Sequence, residues 1–108
     1  MVKLFIEGEE IIEGVGPDSP RIANAQGGMQ SDSPYSFTAG FPHQAILAVA
    51  KVVKNGLTHY APDNWRQVPR ADHLNHALVH LFAYEAGDRQ DDHLEHAACR
   101  LLMALECR

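Results

Sequence analysis

The strongest constraint on the fold lies in the C-terminal third of the chain, where two amphipathic helical patterns are separated by a short turn. The first pattern runs from about Asp72 to Ala86 and stops at Gly87, and the second runs from about Asp92 to the C-terminus. Asp92 and Glu95 have the spacing of a capping box, with Asp in place of the usual Ser or Thr. Because the connecting turn, GDRQD, is short, the two helices are expected to pack as an antiparallel hairpin.

A further helix is predicted in FPHQAILAVAKVVKNG, residues 41–56. Pro42 suits its first turn, and Asn55 with Gly56 suits its C-cap. Three apolar residues at helical spacing are expected to form its buried stripe: Ile46, Val49 and Val53. Together with the hairpin, this helix predicts an all-α core for residues 41–108.

Residues 1–40 differ in composition from this helical core. Two short extended runs around Gly8, within residues 2–15, predict a small β-hairpin. Residues 16–40 are rich in Gly, Pro, Ser and Asp and carry no apolar period, so we expect a loop, or an arm that orders against something else. The chain is therefore expected to form one domain of 108 residues, made of an N-terminal arm and a helical core.

Three helices of this length make a thin core. Although 45% of the residues are hydrophobic, much apolar surface would stay exposed on one hairpin and one helix. Helices from two or more chains are therefore expected to share a bundle. This predicts a homo-oligomer, either a dimer or a tetramer.

The net charge of −5 makes a free nucleic-acid backbone an unexpected partner. A phosphate-bearing small molecule can still bind if metal ions supply positive charge. There is no run of about 18 apolar residues, so no membrane span is expected, and the first residues lack a secretory signal. Cys99 and Cys107 lie on one predicted helix, too far apart along it to pair, so a reducing, cytoplasmic setting is expected.

Five of the seven histidines fall on the two helices of the hairpin, mixed with carboxylates. Helical spacing places His73, His76 and His80 on one side of the first helix. Folding the hairpin about its turn brings a polar group to its closed end: Glu85, Asp88, Asp92, His93 and His96. Because histidine is an indifferent helix former and a rare choice for solubility, the cluster indicates a metal site. The alternative is two solvated polar faces.

The ligand types leave several metals open. Mixed oxygen and imidazole donors suit Mn or Mg with retained waters, or a di-iron centre. The surplus of carboxylates and the absence of a nearby Cys pair argue against a closed structural zinc site. The Glu-x-x-His motif of ferritin-like iron sites is missing from both helices, which disfavours an iron oxidase.

Four stretches carry a resemblance to a known family: GGMQS at 27–31, HYAPDNWRQVP at 59–69, DHLNHALVHLFAYEAGDRQDDHLEHAACR at 72–100 and LLMALE at 101–106. Together they resemble the dATP/dGTP diphosphohydrolase N-terminal domain, a family found largely in phages and bacteria. This family is similar to the MazG-like all-α nucleoside triphosphate pyrophosphohydrolases. The resemblance implies a MazG-like helical bundle, located in the host cytoplasm if the chain is phage-encoded.

The chain departs from the family pattern at several positions. Met29 stands where relatives often have Lys, and Val79 stands where they often have Arg, so two cations that could touch phosphate are missing. The Glu-x-x-Glu signature of the better-known MazG proteins is also absent. If the chemistry is retained, His and Asp must therefore take the metal positions.

The resemblance implies a metal-dependent enzyme that converts a purine deoxynucleoside triphosphate, with dGTP favoured and dATP also accepted, to its monophosphate and pyrophosphate. Two or three Mg or Mn ions would activate the attacking water and bridge phosphate oxygens. The candidate metal ligands are His80, Asp88, Asp92, His93 and His96, with Glu85 in reserve. Asp92 and Glu95 are the candidate catalytic residues, and the general base is either Glu95 or a metal-bound hydroxide.

Eight residues are candidates for holding the nucleotide: Gln30, Ser31, Lys51, Lys54, Asn64, Trp65, Arg66 and Arg100. The cations among them would grip phosphates, Trp65 with Tyr60 would stack on the purine, and Asn64 would read its polar edge. The alternatives are a core anchor for Trp65 and plain surface charges for the cations. Two other functions fit the same residues, a non-catalytic metal-binding helical module and a purely structural helical oligomer.

Overall fold

The computed structural model describes residues 4–6, 9–12, 21–33 and 35–107. The chain forms two compact units, Met1–Phe41 and Pro42–Arg108. The boundary between them falls at the expected junction of arm and helical core, while the expectation of a single domain stays a prediction. No helix in the described residues is both long and apolar enough to cross a membrane.

The first unit begins with a short β-hairpin. Strand β1, Leu4–Ile6, pairs antiparallel with strand β2, Glu9–Ile12. This confirms the hairpin predicted within residues 2–15. Its turn, with Gly8, lies outside the described residues.

A second hairpin follows where the sequence predicted only loop. Strand β3, Arg21–Ala23, pairs antiparallel with strand β4, Met29–Ser31. The Asn24 side chain builds the turn, since its Oδ1 accepts hydrogen bonds from the Gln26 and Gly28 N–H groups, and Gly27 supplies a positive φ of 85°. The loop prediction was wrong here because both strands are exposed on every residue, so no alternation of apolar and polar residues marks them.

The second unit is helical, which confirms the predicted all-α class. Helix α1 spans His43–Gly56, helix α2 spans Arg70–Glu85 and helix α3 spans His93–Glu106. A short 3-10 helix, Asn64–Gln67, lies between α1 and α2.

The ends of the helices differ from their predicted positions in three places. Gly56 belongs to α1 itself, because Leu57 is the C-cap in right-handed conformation. Helix α2 starts earlier than predicted, since Pro69 with φ −58° serves as its N-cap. At the start of α3, Asp92 is the N-cap but no side-chain hydrogen bond caps the helix, so the predicted capping box with Glu95 does not form.

Helices α2 and α3 pack as the predicted antiparallel hairpin, and α1 packs on α3. At the closed end, His80 in the second half of α2 meets His93 in the first turn of α3. At the open end, the Trp65 carbonyl accepts hydrogen bonds from His73 Nε2–H of α2, at 2.9 Å, and from the Cys107 thiol, which follows α3. One main-chain oxygen thus joins both helices to the loop before α2.

Small side chains fill the core of this unit. Its buried residues are Val49, His73, Ala77, His93, Ala97, Cys99 and Ala104. In residues 21–33 and 35–107 no Leu, Ile or Phe is buried. The stripe predicted on α1 is therefore correct at Val49 and wrong at Ile46 and Val53, which are both 39% exposed.

Candidate functional site

Three histidines meet where α2 and α3 pack near the turn. The Nδ1 atoms of His80 and His93 lie 2.9 Å apart. The rings of His80 and His96 stack, with centroids 5.0 Å apart and planes inclined by 17°. His93 is buried, and the other two are half-buried. The hairpin therefore holds three imidazoles together in a partly dry environment.

Asp88, in the turn, fixes the orientation of His93. His93 Nε2–H donates to Asp88 Oδ2 at 2.7 Å. In a neutral ring this leaves the lone pair on Nδ1, the atom that faces His80. The hydrogen bond from His93 is the main cause that lowers the pKa of Asp88, and the one from the Gln90 N–H is the second. The carboxylate therefore stays ionised at neutral pH. A carboxylate that holds the far nitrogen of an imidazole is the usual support of a metal-binding histidine.

Asp91 completes a group of possible metal ligands. One donor atom from each of His80, Asp91 and His93 lies within 4.8 Å of the other two. Asp91 Oδ1 also lies 3.4 Å from His96 Nε2. The sequence reasoning missed Asp91 and named its neighbour Asp92, which stands four positions before His96. Since α3 begins at His93, the turn presents Asp91 to the histidines instead.

His80 is held in its neutral form. Burial is the main cause that lowers its pKa, and the charges of His96 and His93 act in the same direction, while Asp91 opposes them. Only the neutral imidazole has a lone pair to give to a metal ion. His80 can therefore bind a metal ion at neutral pH without first losing a proton.

A cavity of about 830 Å³ lies beside this histidine group. The hairpin contributes His76, His80 and His96 to its wall, and the loop after α1 contributes Tyr60 and Trp65. This volume is in the range of ligand pockets, about 300–1,000 Å³. A wall of aromatic side chains with a few polar groups is also typical of such pockets.

Arg100 also lines the cavity, one turn beyond His96 on α3. Its Nε atom is buried and has no hydrogen-bond partner. A buried donor on a charged group is costly to leave unpaired. A bound anion would satisfy it.

The remaining nucleotide candidates fall into two groups. Asn64 and Trp65 line the cavity from the 3-10 helix. Arg66 does not line it: its side chain pairs with Asp63 and with Glu106, each at 3.1 Å, and its guanidinium carbon lies 4.2 Å from the Trp65 ring centroid. Lys51 and Lys54 lie on α1 and do not line the cavity. Gln30 and Ser31 lie on β4, in the first unit.

The other candidate ligands and catalytic residues lie around the histidine group. Asp92 is exposed at the start of α3, Glu95 is half-buried in its first turn, and Glu85 is exposed at the end of α2. In the described part of the chain, the group of three possible ligands contains none of them. The structure thus brings together four of the five predicted ligands, His80, Asp88, His93 and His96, and leaves Asp92 at the edge.

One comparison with known proteins gives a match that covers most of the chain. A family model described as "dATP/dGTP diphosphohydrolase, N-terminal" matches residues 24–108. Neither curated proteins nor solved structures gave a match. The matched region includes the whole helical unit and the β4 hairpin strand.

Proposed function

Because the chain belongs to the dATP/dGTP diphosphohydrolase N-terminal family, we propose that it is a metal-dependent hydrolase of purine deoxynucleoside triphosphates. It converts dGTP preferentially, and also dATP, to the monophosphate and pyrophosphate. The observation that carries this proposal is the group His80, Asp91 and His93 beside a cavity large enough for a nucleotide. The family description refers to an N-terminal region, so the activity itself is what the experiment below must establish.

The donor atoms fit a divalent ion. Neighbouring ligands of an octahedral ion at ~2.1 Å lie about 3.0 Å apart, and the two Nδ1 atoms are 2.9 Å apart. Imidazole with carboxylate suits Mn or Mg with retained waters. When bound, such ions would lower the pKa of a water molecule and offset phosphate charge. Asp92 and His96, next to the group, are retained as ligands of a second ion.

Asp88 takes a different role in this proposal from the one that the sequence suggested. Its carboxylate is already used by His93 Nε2–H and the Gln90 N–H. We therefore assign it to orienting His93 instead of binding the ion directly. This keeps the Nδ1 lone pair of His93 directed at His80 and Asp91.

The cavity wall supplies contacts for the substrate. Arg100 has a buried, unpaired Nε and is assigned to a phosphate oxygen. Trp65 and Tyr60 are assigned to stack on the purine, and Asn64 to bind its polar edge. Arg66 is engaged by two carboxylates, so it holds the Trp65 loop in place. Glu95 and Asp92 remain the candidates for taking the proton of the attacking water.

The test is to incubate the full chain with dGTP and Mn and to separate the products by chromatography. Equal amounts of dGMP and pyrophosphate are expected. His93→Gln should lower both Mn affinity and turnover by about two decades, because it removes one ligand of a metal-held phosphate site. His43→Gln, at the exposed start of α1, is the matched control and should keep both.

The outcomes separate the candidate functions. If the chain binds Mn but turns over neither dGTP nor dATP with Mn or Mg, the enzyme proposal fails and a non-catalytic metal-binding module remains. If it binds no metal at all, a structural helical oligomer remains. If His43→Gln loses as much activity as His93→Gln, the chemistry does not take place at the hairpin.

A further inference from the structure

One side of α2 runs along the wall of the cavity beside the histidine group. Asp72, His76 and His80 follow one another at four-residue spacing on this helix, and all three line the cavity. At a rise of about 1.5 Å per residue, Asp72 lies about 12 Å from His80 along the helix axis. The two ends of this wall therefore differ in chemistry, with the possible metal ligands at the His80 end and an acidic residue at the other.

The loop before α2 lies at the Asp72 end of the cavity. Its Trp65 carbonyl accepts the hydrogen bond from His73, the neighbour of Asp72, at 2.9 Å. Asn64 and Trp65 line the cavity from this loop. Two of the residues assigned to the purine are thus at the opposite end of the wall from the metal ligands. A nucleotide spans a comparable length from its α-phosphate to the far edge of its base.

Two acidic residues line the cavity, Asp63 and Asp72. Asp63 Oδ1 lies 3.1 Å from Arg66 Nε, so its carboxylate is already engaged. Asp72 is exposed in the first turn of α2, and its side chain takes part in none of the ion pairs formed within the described residues. A carboxylate repels phosphate groups and accepts hydrogen bonds. It therefore suits the part of a ligand that presents N–H donors.

Guanine and adenine differ at the edge that such a carboxylate would meet. Guanine carries two neighbouring donors, N1–H and the 2-amino group, which match the two oxygens of a carboxylate. Adenine carries an acceptor, N1, beside its 6-amino group, so a carboxylate oxygen would meet a lone pair. Proteins that read a single base use hydrogen bonds at this edge together with stacking on an aromatic side chain. A carboxylate here therefore favours guanine by attraction and disfavours adenine by repulsion.

We propose that Asp72 selects guanine over adenine in this cavity. Its carboxylate accepts hydrogen bonds from N1–H and the 2-amino group, while Asn64 donates to O6 or N7 and Trp65 stacks on the ring. The phosphates then extend towards Arg100 and His80. This role of Asp72 rests on the proposed function for the class of ligand, a purine nucleotide, and adds the group that decides between the two purines.

The experiment measures binding by titration calorimetry with Mn. Its probes are the α,β-imido analogues of dGTP, dITP and dATP, which keep three phosphates and resist cleavage between α and β. The parent should bind the guanine analogue at least about tenfold more tightly than the adenine analogue, as one hydrogen bond to a charged group allows. The hypoxanthine analogue keeps N1–H and lacks the 2-amino group, so its affinity should lie between these two. Asp72→Asn should lower the ratio of guanine to adenine affinities at least about tenfold.

Asp32→Asn is the matched control. Asp32 is exposed in the first unit, and both substitutions remove one negative charge, so any general effect on anionic ligands is the same. The control should keep the parent's ratio of affinities. Asp72→Ser repeats the test without an amide that could bind adenine, and it decides the matter if Asp72→Asn loses its helices. Circular dichroism checks the helices of each variant.

An unchanged ratio in the Asp72 variants, or an equal change in Asp32→Asn, overturns the proposal. So does a parent that binds the three analogues equally or not at all. Turnover of dGTP is measured separately, so the two proposals can fail independently. A chain that hydrolyses dGTP and dATP but shows no effect of Asp72 retains its proposed function without this selector. A chain that prefers the guanine analogue through Asp72 but hydrolyses neither triphosphate retains the selector and is not the proposed enzyme.

Discussion

Replacing His73 with leucine is expected to leave the protein as stable as the parent, or more stable, although His73 is fully buried. The His73 Nε2–H donates to the Trp65 carbonyl, a bond whose loss costs about 1 kcal/mol. Its Nδ1, however, is buried with no partner, and such a group costs about 1–3 kcal/mol. Leucine removes both the bond and the unpaired atom while filling a similar volume. The net change should be between zero and about 2 kcal/mol of added stability.

His73→Ala is the informative contrast. It removes the same polar atoms but leaves a hole in the seam, and large-to-alanine changes in a core cost about 2–5 kcal/mol. The two variants should therefore differ by about 3 kcal/mol in the free energy of unfolding. His43→Leu, at an exposed position, controls for the general effect of the substitution.

Urea unfolding followed by circular dichroism measures these free energies. Fluorescence adds a local reading, because Trp65 is the only tryptophan in the chain. Loss of the His73 hydrogen bond should shift its emission in both His73 variants. If His73→Leu loses more than about 2 kcal/mol, the reasoning is refuted, since so large a loss would mean that the imidazole belongs to a fully satisfied network.

Two further predictions concern the hairpin. In titration calorimetry, Asp91→Asn should weaken Mn binding at least ~10-fold more than Asp92→Asn. The reason is that Asp91, and not Asp92, places a donor atom close to those of His80 and His93. Equal losses of affinity would contradict the choice of Asp91 as the ligand. At about pH 7, iodoacetamide should modify Cys99 at least ~10-fold more slowly than Cys107, because burial raises the pKa of the Cys99 thiol and leaves less thiolate to react. Peptide mass spectrometry over time measures both rates, and faster labelling of Cys99 would contradict its burial.

The hairpin was predictable because helical periodicity and a short turn are local features of the sequence. The contact of His80 with His93 was not predicted, because spacing alone brought Glu85 to the closed end beside His93. The choice between Asp91 and Asp92 did not follow from spacing either. Both residues precede the first residue of α3, where helical spacing no longer determines the direction of a side chain.

Other contacts were invisible for a different reason. Arg66 pairs with Glu106, forty positions away, and no local pattern connects the two. His73 shared a helical side with His76 and His80 in the sequence, yet it is buried while His76 is exposed. His73 also donates to the Trp65 carbonyl, a contact with the loop before α2 that helical spacing does not show.

The pair of hydrogen bonds to the Trp65 carbonyl, at the open end of the hairpin, has a consequence for how this protein can change. It is made by the main-chain oxygen of residue 65, which every amino acid carries, and not by the indole ring. Substitution at this position therefore exchanges the surface offered to a ligand while both helices stay tethered. Selection, or an engineer, can therefore redesign that wall of the cavity without removing these two hydrogen bonds.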